Sequence, residues 1–94
     1  MYDKAANEID AVICATPDHT HALVSAYAME LGKHVYCQKP LTHSVYESRL
    51  LTKLAAKHQV ATQMGNQGSS HIGVETVCNW IWNGEIGEVK RVDA

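Results

Sequence analysis

Short, almost continuous apolar runs alternate along this chain with longer segments whose apolar residues recur every three or four positions. The first run, Ile9-Asp10-Ala11-Val12-Ile13-Cys14-Ala15, is bounded by Thr16-Pro17-Asp18 and predicts a strand buried on both faces. A helix is expected from about His19 to Leu31, apolar nearly all round, with Asp18 or Thr20 as its cap and Gly32 as its stop. His34-Val35-Tyr36-Cys37 reads as a second strand, followed by the connection Gln38-Lys39-Pro40-Leu41-Thr42. Ser44 and Glu47 have the spacing of a capping box, opening a helix to about His58 with Leu50, Leu51, Leu54 and Ala55 on its inner face. Val60-Ala61-Thr62-Gln63-Met64 predicts a third strand, and the polar loop Gly65-Asn66-Gln67-Gly68-Ser69-Ser70 follows it. A third helix carries Val74, Val77, Cys78 and Ile81 on one face and stops at Gly84 and Gly87. The tail, Glu88 to Ala94, alternates and reads as the start of a fourth strand.

The expected fold class is therefore α/β, in the order β-α-β-α-β-α-β, with short connections and a parallel sheet. In such sheets ligands bind outside the carboxyl ends of the strands. Three polar segments follow strand ends here, Thr16 to His21, Gln38 to Thr42 and Gly65 to Ser70, and the topology predicts that they converge.

Composition narrows the function classes. The chain of 94 residues is 46% hydrophobic and 19% charged, which is globular and too short for more than one small domain. A net charge of −2, with Lys90-Arg91 the only basic pair, gives no electrostatic footprint for nucleic acid. No apolar run approaches the roughly 20 residues needed to span a bilayer. The N-terminal Met1-Tyr2-Asp3-Lys4 lacks the basic-then-apolar pattern of a leader, so the default location is cytoplasmic, export of a longer parent protein being left open. Cys14, Cys37 and Cys78 form no CxxC, and Cys14 and Cys37 read as reduced core thiols.

Lys39 is the leading candidate for chemistry. It follows a strand end directly, and Pro40 confines it to extended backbone angles at the rim of the sheet. A lysine in such a place serves as acid or base when burial or a neighbouring positive charge lowers its pKa. Its alternative reading is a solvated surface lysine. Asp18, His19 and His21 are metal-capable, but two histidines one residue apart have no further ligands at matching spacing, and no metal is expected. The glycines of Gly65-Asn66-Gln67-Gly68 allow unusual backbone angles and close ligand approach, while the amides suit sugar hydroxyls; an ordinary turn is the alternative. Trp80 and Trp82 read as packing residues of a domain or subunit contact.

These residues resemble the glucose–fructose oxidoreductase, inositol dehydrogenase and rhizopine-catabolism (Gfo/Idh/MocA) family. Ala15-Thr16-Pro17-Asp18-His19-Thr20-His21 is similar to the family's TPxxxH segment, and Gly32-Lys33-His34-Val35-Tyr36-Cys37-Gln38-Lys39-Pro40-Leu41 to its GKHVxCEKPL segment. Gly84-Glu85-Ile86-Gly87-Glu88-Val89 resembles the text at which the dinucleotide domain hands over to the next. The resemblance, from about Ile9 to Val92, implies a partial doubly wound (Rossmann-type) parallel sheet. Residues 1–87 would be the C-terminal part of a dinucleotide domain, and 88–94 the first strand of a truncated substrate or dimerisation domain.

By the same resemblance the parent is an NAD- or NADP-dependent oxidoreductase. It would pass hydride between nicotinamide and a small-molecule sugar, cyclitol or related polyol and assemble as a homo-oligomer, while the charge and hydropathy above predict no nucleic-acid or membrane partner. Lys39 takes the place of the proton-transferring lysine. Thr16, Pro17, Asp18, His21, Gln38, Lys39 and Pro40 fall along the cofactor, and Asn66 and Gln67 face the nicotinamide or the substrate. Two departures stand out. Gln38 replaces the usual glutamate, which keeps an acceptor oxygen and removes a charge, and no G-x-G-x-x-G or downstream D-x-x-x-H occurs. The resemblance also leaves room for a glycoside hydrolase that uses NAD transiently, or for an inactive, oligomerising fragment.

Overall fold

The computed structural model describes residues 6–93. The Met1–Lys4 stretch read for a leader, and the last residue of the expected terminal strand, lie outside them. Three strands form one parallel sheet in the order β1-β2-β3: β1 is Ala11–Cys14, β2 is His34–Gln38 and β3 is Thr62–Gly65. Helix α1 (His21–Glu30) joins β1 to β2, α2 (Val45–His58) joins β2 to β3, and α3 (Ile72–Trp82) follows β3.

The helix ends follow from local sequence. Gly32, at φ 71°, closes α1 with its N–H on the Met29 carbonyl (2.9 Å) and the Lys33 N–H on the Ala28 carbonyl (3.0 Å). That pair of bonds needs a left-handed residue, which glycine adopts without a Cβ penalty. At the start of α2, the Ser44 hydroxyl accepts from the Glu47 N–H (3.3 Å) while Glu47 Oε2 accepts from the Ser44 N–H (2.9 Å), the expected capping box. The start of α1 differs from the expectation. Asp18–Thr20 form a short 3-10 turn, α-helix begins only at His21, and neither Asp18 nor Thr20 caps it through a side chain. Thr20 Oγ1 instead donates to the Pro17 carbonyl at 2.7 Å.

The core lies on one face of the sheet. Val12, Cys14, Val35 and Cys37 point into it and meet Ala28 and Met29 of α1 and Leu51 and Leu54 of α2, with Leu50 and Ala55 at its margin. The opposite face carries no helix among the described residues. Ile13 there is 78% exposed, so β1 alternates rather than being buried on both faces as its apolar run suggests. The run is suited to two covered faces, but only one has a layer over it.

Helix α3 has the expected period but no buried residue, and Val74, Val77, Trp80, Ile81 and Trp82 are exposed. It projects from the sheet, giving a radius of gyration of 18.1 Å, where a packed chain of this length would have about 12 Å. The expected β3 is shifted, running to Gly65 instead of Val60 to Met64. The fourth strand is not formed: residues 88–93 have no regular structure. A strand exists only through hydrogen bonds to a neighbour, and the described residues offer that tail none. Among the described residues, no helix is long and apolar enough to cross a membrane.

Candidate functional site

The carboxyl ends of β1 and β2, and the turn beyond β3, open on one hollow of about 380 Å³, lined by Ala15, Thr16, Asp18, His21, Gln38, Lys39 and Gln67. All three segments singled out by topology contribute to it. A second hollow of about 460 Å³ shares Gln67 and adds Asn66, Tyr36, Gln63 and Ser69. Thr16, Asp18, His21, Gln38 and Lys39 are thus brought together, while Asn66 sits next door. Pro17 and Pro40 are not on the wall and shape it through their carbonyls.

Each loop is fixed by its own bonds. The Thr20 N–H reaches the Pro17 carbonyl at 2.8 Å, and Thr20 Oγ1 lies 2.7 Å from Thr16 Oγ1, drawing Thr16–Thr20 into a tight turn. The Lys39 N–H reaches the Gly65 carbonyl at 3.2 Å, extending the β2–β3 ladder by one residue. It also lies 3.3 Å from Gln38 Oε1. This anchors the Lys39 backbone at the rim and leaves its side chain exposed. The Lys39–Pro40 peptide bond is cis.

Gly65 shows why a glycine ends β3. A Cβ there would lie 2.6 Å from Gln38 Oε1 and 3.0 Å from Tyr36 Cε1. The close approach is thus made by the chain's own β2 side chains. Gly68, by contrast, has open space around it and no left-handed backbone.

His21 is the residue whose role sequence reasoning missed. It is 1% exposed, and its ring spans the two loops, with Nδ1 2.6 Å from the Pro40 carbonyl and Nε2 2.7 Å from the Thr16 carbonyl. It ties the β1 loop to the β2 loop from beneath. The sequence offers it as a metal-capable residue and as the histidine of the TPxxxH segment, and a polar residue at the start of an otherwise apolar helix is the signal for a buried bonding role. The metal-capable trio read from sequence is not assembled: Asp18 and His19 are exposed. His21 instead lies with Cys14 and Cys37, both free and buried. Burial pushes the Cys37 thiol above its ordinary pKa, a nearby Ser25 opposing and Cys14 adding to the shift.

The hollow is lined by the hydroxyl, carboxylate and amide groups of Thr16, Asp18, Gln38 and Gln67, with Lys39 at its rim. No glycine-rich cradle for the pyrophosphate occurs in the chain.

Residues 1–66 match the family described as oxidoreductase, NAD-binding Rossmann fold (GFO_IDH_MocA). The chain is similar to an uncharacterised oxidoreductase, ORF334, of Rhizobium meliloti, at 33% identity over 97% of this chain and 28% of the relative. It is also similar to inositol 2-dehydrogenase of Rhizobium meliloti strain 1021, at 32% identity over 95% of this chain and 27% of the relative. Among solved structures, an inositol dehydrogenase homologue from Azotobacter vinelandii, complexed with NADH and myo-inositol, superposes with a TM-score of 0.76. It is 30% identical, over 95% of this chain and 24% of that one. The chain spans about a quarter of the length of the curated relatives it matches.

Proposed function

Since the chain belongs to the Gfo/Idh/MocA family of oxidoreductases with an NAD-binding Rossmann fold, we propose that it forms the nicotinamide-side half of a dinucleotide site. The whole enzyme would be an NAD(P)-dependent oxidoreductase acting on a sugar, a cyclitol or a related polyol. The observation that carries this reading is the convergence of Thr16, Asp18, Gln38, Lys39 and Gln67 on one hollow at the carboxyl ends of the strands. The uncovered sheet face and the unpacked α3 support the chain's being one part of a larger fold. In that fold, residues 88–94 would begin the next domain.

Thr16, Asp18 and Gln38 would hold the cofactor, with His21, Pro17 and Pro40 fixing the two loops that carry them. Asn66 and Gln67 would face the substrate. When bound, nicotinamide supplies a hydride acceptor or donor. Lys39 moves the proton: its Nζ takes the hydroxyl proton of the substrate in oxidation and returns it in reduction. Gln38 presents an amide where a carboxylate would add a negative charge beside that lysine.

The test is Lys39→Ala in the full-length enzyme, assayed with its native polyol. The expected loss in kcat is about 100- to 10,000-fold, the range of general acid–base catalysis. Native kcat in the variant would remove Lys39 from the mechanism.

A further inference from the structure

The side chains of Cys14, His21 and Cys37 form a buried group that hydride chemistry does not use. The parallel register pairs Cys14 with Cys37, so both thiols leave the same face of the sheet side by side. Helix α1 lays His21 over them and, one turn later, Ser25. The two sulfurs and a ring nitrogen of His21 all lie within 4.8 Å of one another, and the three residues are buried. A tetrahedral zinc holds sulfur at about 2.3 Å and imidazole nitrogen at about 2.0 Å, which sets its ligand atoms about 3.5–3.8 Å apart. The separations in this group exceed that arrangement by at most about an ångström, and closing on a cation requires His21 to leave one of its two carbonyl contacts.

We propose that Cys14, His21 and Cys37 form a binding site for a thiophilic divalent cation of the zinc class. Thiolate and imidazole are the donors such cations select. Without a cation the two thiols make only weak hydrogen bonds. Cys14 Sγ is 3.5 Å from Thr16 Oγ1, and Cys37 Sγ is 3.9 Å from the Leu41 carbonyl. Ser25 Oγ is wholly buried and has no partner in good hydrogen-bond geometry, although Cys37 is its neighbour.

Both ring nitrogens of His21 already meet carbonyl oxygens, Nδ1 that of Pro40 at 2.6 Å and Nε2 that of Thr16 at 2.7 Å. A cation would take one nitrogen once the ring turns from that carbonyl, and the other nitrogen would keep its own. A ring held by a carbonyl through its second nitrogen is how metal-bound histidines are oriented. On binding, two S–H bonds break, two metal–sulfur bonds form and two protons pass to solvent. Two thiolates balance the double charge of the cation, so the buried unit is neutral, which avoids the cost of burying a net charge. Ser25 gains a thiolate acceptor. Because His21 also ties the two loops of the hollow, occupancy releases one of those ties. The site itself does not depend on the oxidoreductase reading.

The experiment is titration of the full chain, reduced and metal-free, with cadmium as a spectroscopically visible member of the zinc class. One equivalent is expected to bind with a sulfur-to-cadmium charge-transfer absorption and release of two protons. Cys14→Ala and Cys37→Ala should each weaken binding by more than about 100-fold, beyond the usual effect of losing an outer-shell partner. Cys78→Ser should leave it unchanged. Absence of the absorption, its persistence in both alanine variants, or its loss in Cys78→Ser overturns the proposal. Should the alanine variants fail to fold, X-ray absorption of the zinc-loaded, unsubstituted protein decides. Two sulfur neighbours and a nitrogen support the site, and a shell without sulfur refutes it.

Discussion

Replacing His21 with phenylalanine isolates what the two ring nitrogens do, because ring size and burial are nearly kept. The substitution strips partners from two carbonyl oxygens, those of Thr16 and Pro40, now 2.7 and 2.6 Å from the imidazole. A buried polar group left without its partner costs about 1–3 kcal/mol, so two would cost about 2–6 kcal/mol if both stayed dry. Thr16 and Pro40 are exposed residues beside an open hollow, and water can reach part of what the ring releases. The expected loss is therefore at the lower end, about 2–3 kcal/mol in unfolding free energy. Urea denaturation reads it as a midpoint lowered by about 1–2 M, for a slope typical of small proteins. His21→Asn, which places an amide near Nδ1, and His21→Gln, which places one near Nε2, should each recover part of the loss. A His21→Phe protein within about 0.5 kcal/mol of the native one would refute the reasoning, since surface changes without a specific mechanism fall in that range.

Gly65→Ala is expected to cost about 1–3 kcal/mol, because the new methyl group meets Gln38 Oε1 at 2.6 Å and Tyr36 Cε1 at 3.0 Å and the ring yields less easily than the amide. Gly68→Ala, facing open space, is the control, and equal denaturation midpoints for the two variants would contradict the packing argument. Glu47 is held below the ordinary carboxylate pKa, chiefly by the His43 N–H at 2.8 Å and also by Ser44. A lowered folded pKa means stability that is present above the unfolded value and is lost as pH falls through the folded one. The native midpoint should thus fall more steeply in acid than that of Glu47→Gln, and superimposable profiles would remove Glu47 from the account.

What could be read in the sequence was what depends on near neighbours. The Ser44–Glu47 box and the Gly32 stop are closed by residues three to five positions apart, so their bonds are implied by spacing alone. Alternation of strands and helices then placed the three loops at one end of a parallel sheet, and with them Thr16, Asp18, Gln38, Lys39 and Gln67. The start of α1 was misjudged because Thr20 spends its hydroxyl on Pro17 and Thr16, a competition between side chain and helix that residue type does not settle.

The remainder depends on partners far along the chain or outside it. Cys14 and Cys37 meet because β1 and β2 pair at a given register, and a shift by one residue would send the two thiols to opposite faces of the sheet. His21 finds one acceptor five residues back and another nineteen ahead. The sequence marks it as metal-capable and as a residue along the cofactor, but not as a tie between two loops. The bare face behind Ile13, the unburied stripe of α3 and the unpaired tail have a different cause. Their patterns specify burial and pairing, and the described residues do not provide the surfaces that would complete them. Apolar periodicity records the environment a segment was selected for. Where the pattern and the observed exposure disagree, as they do at Ile13, Val74 and Val77, the disagreement locates the faces on which further protein would pack.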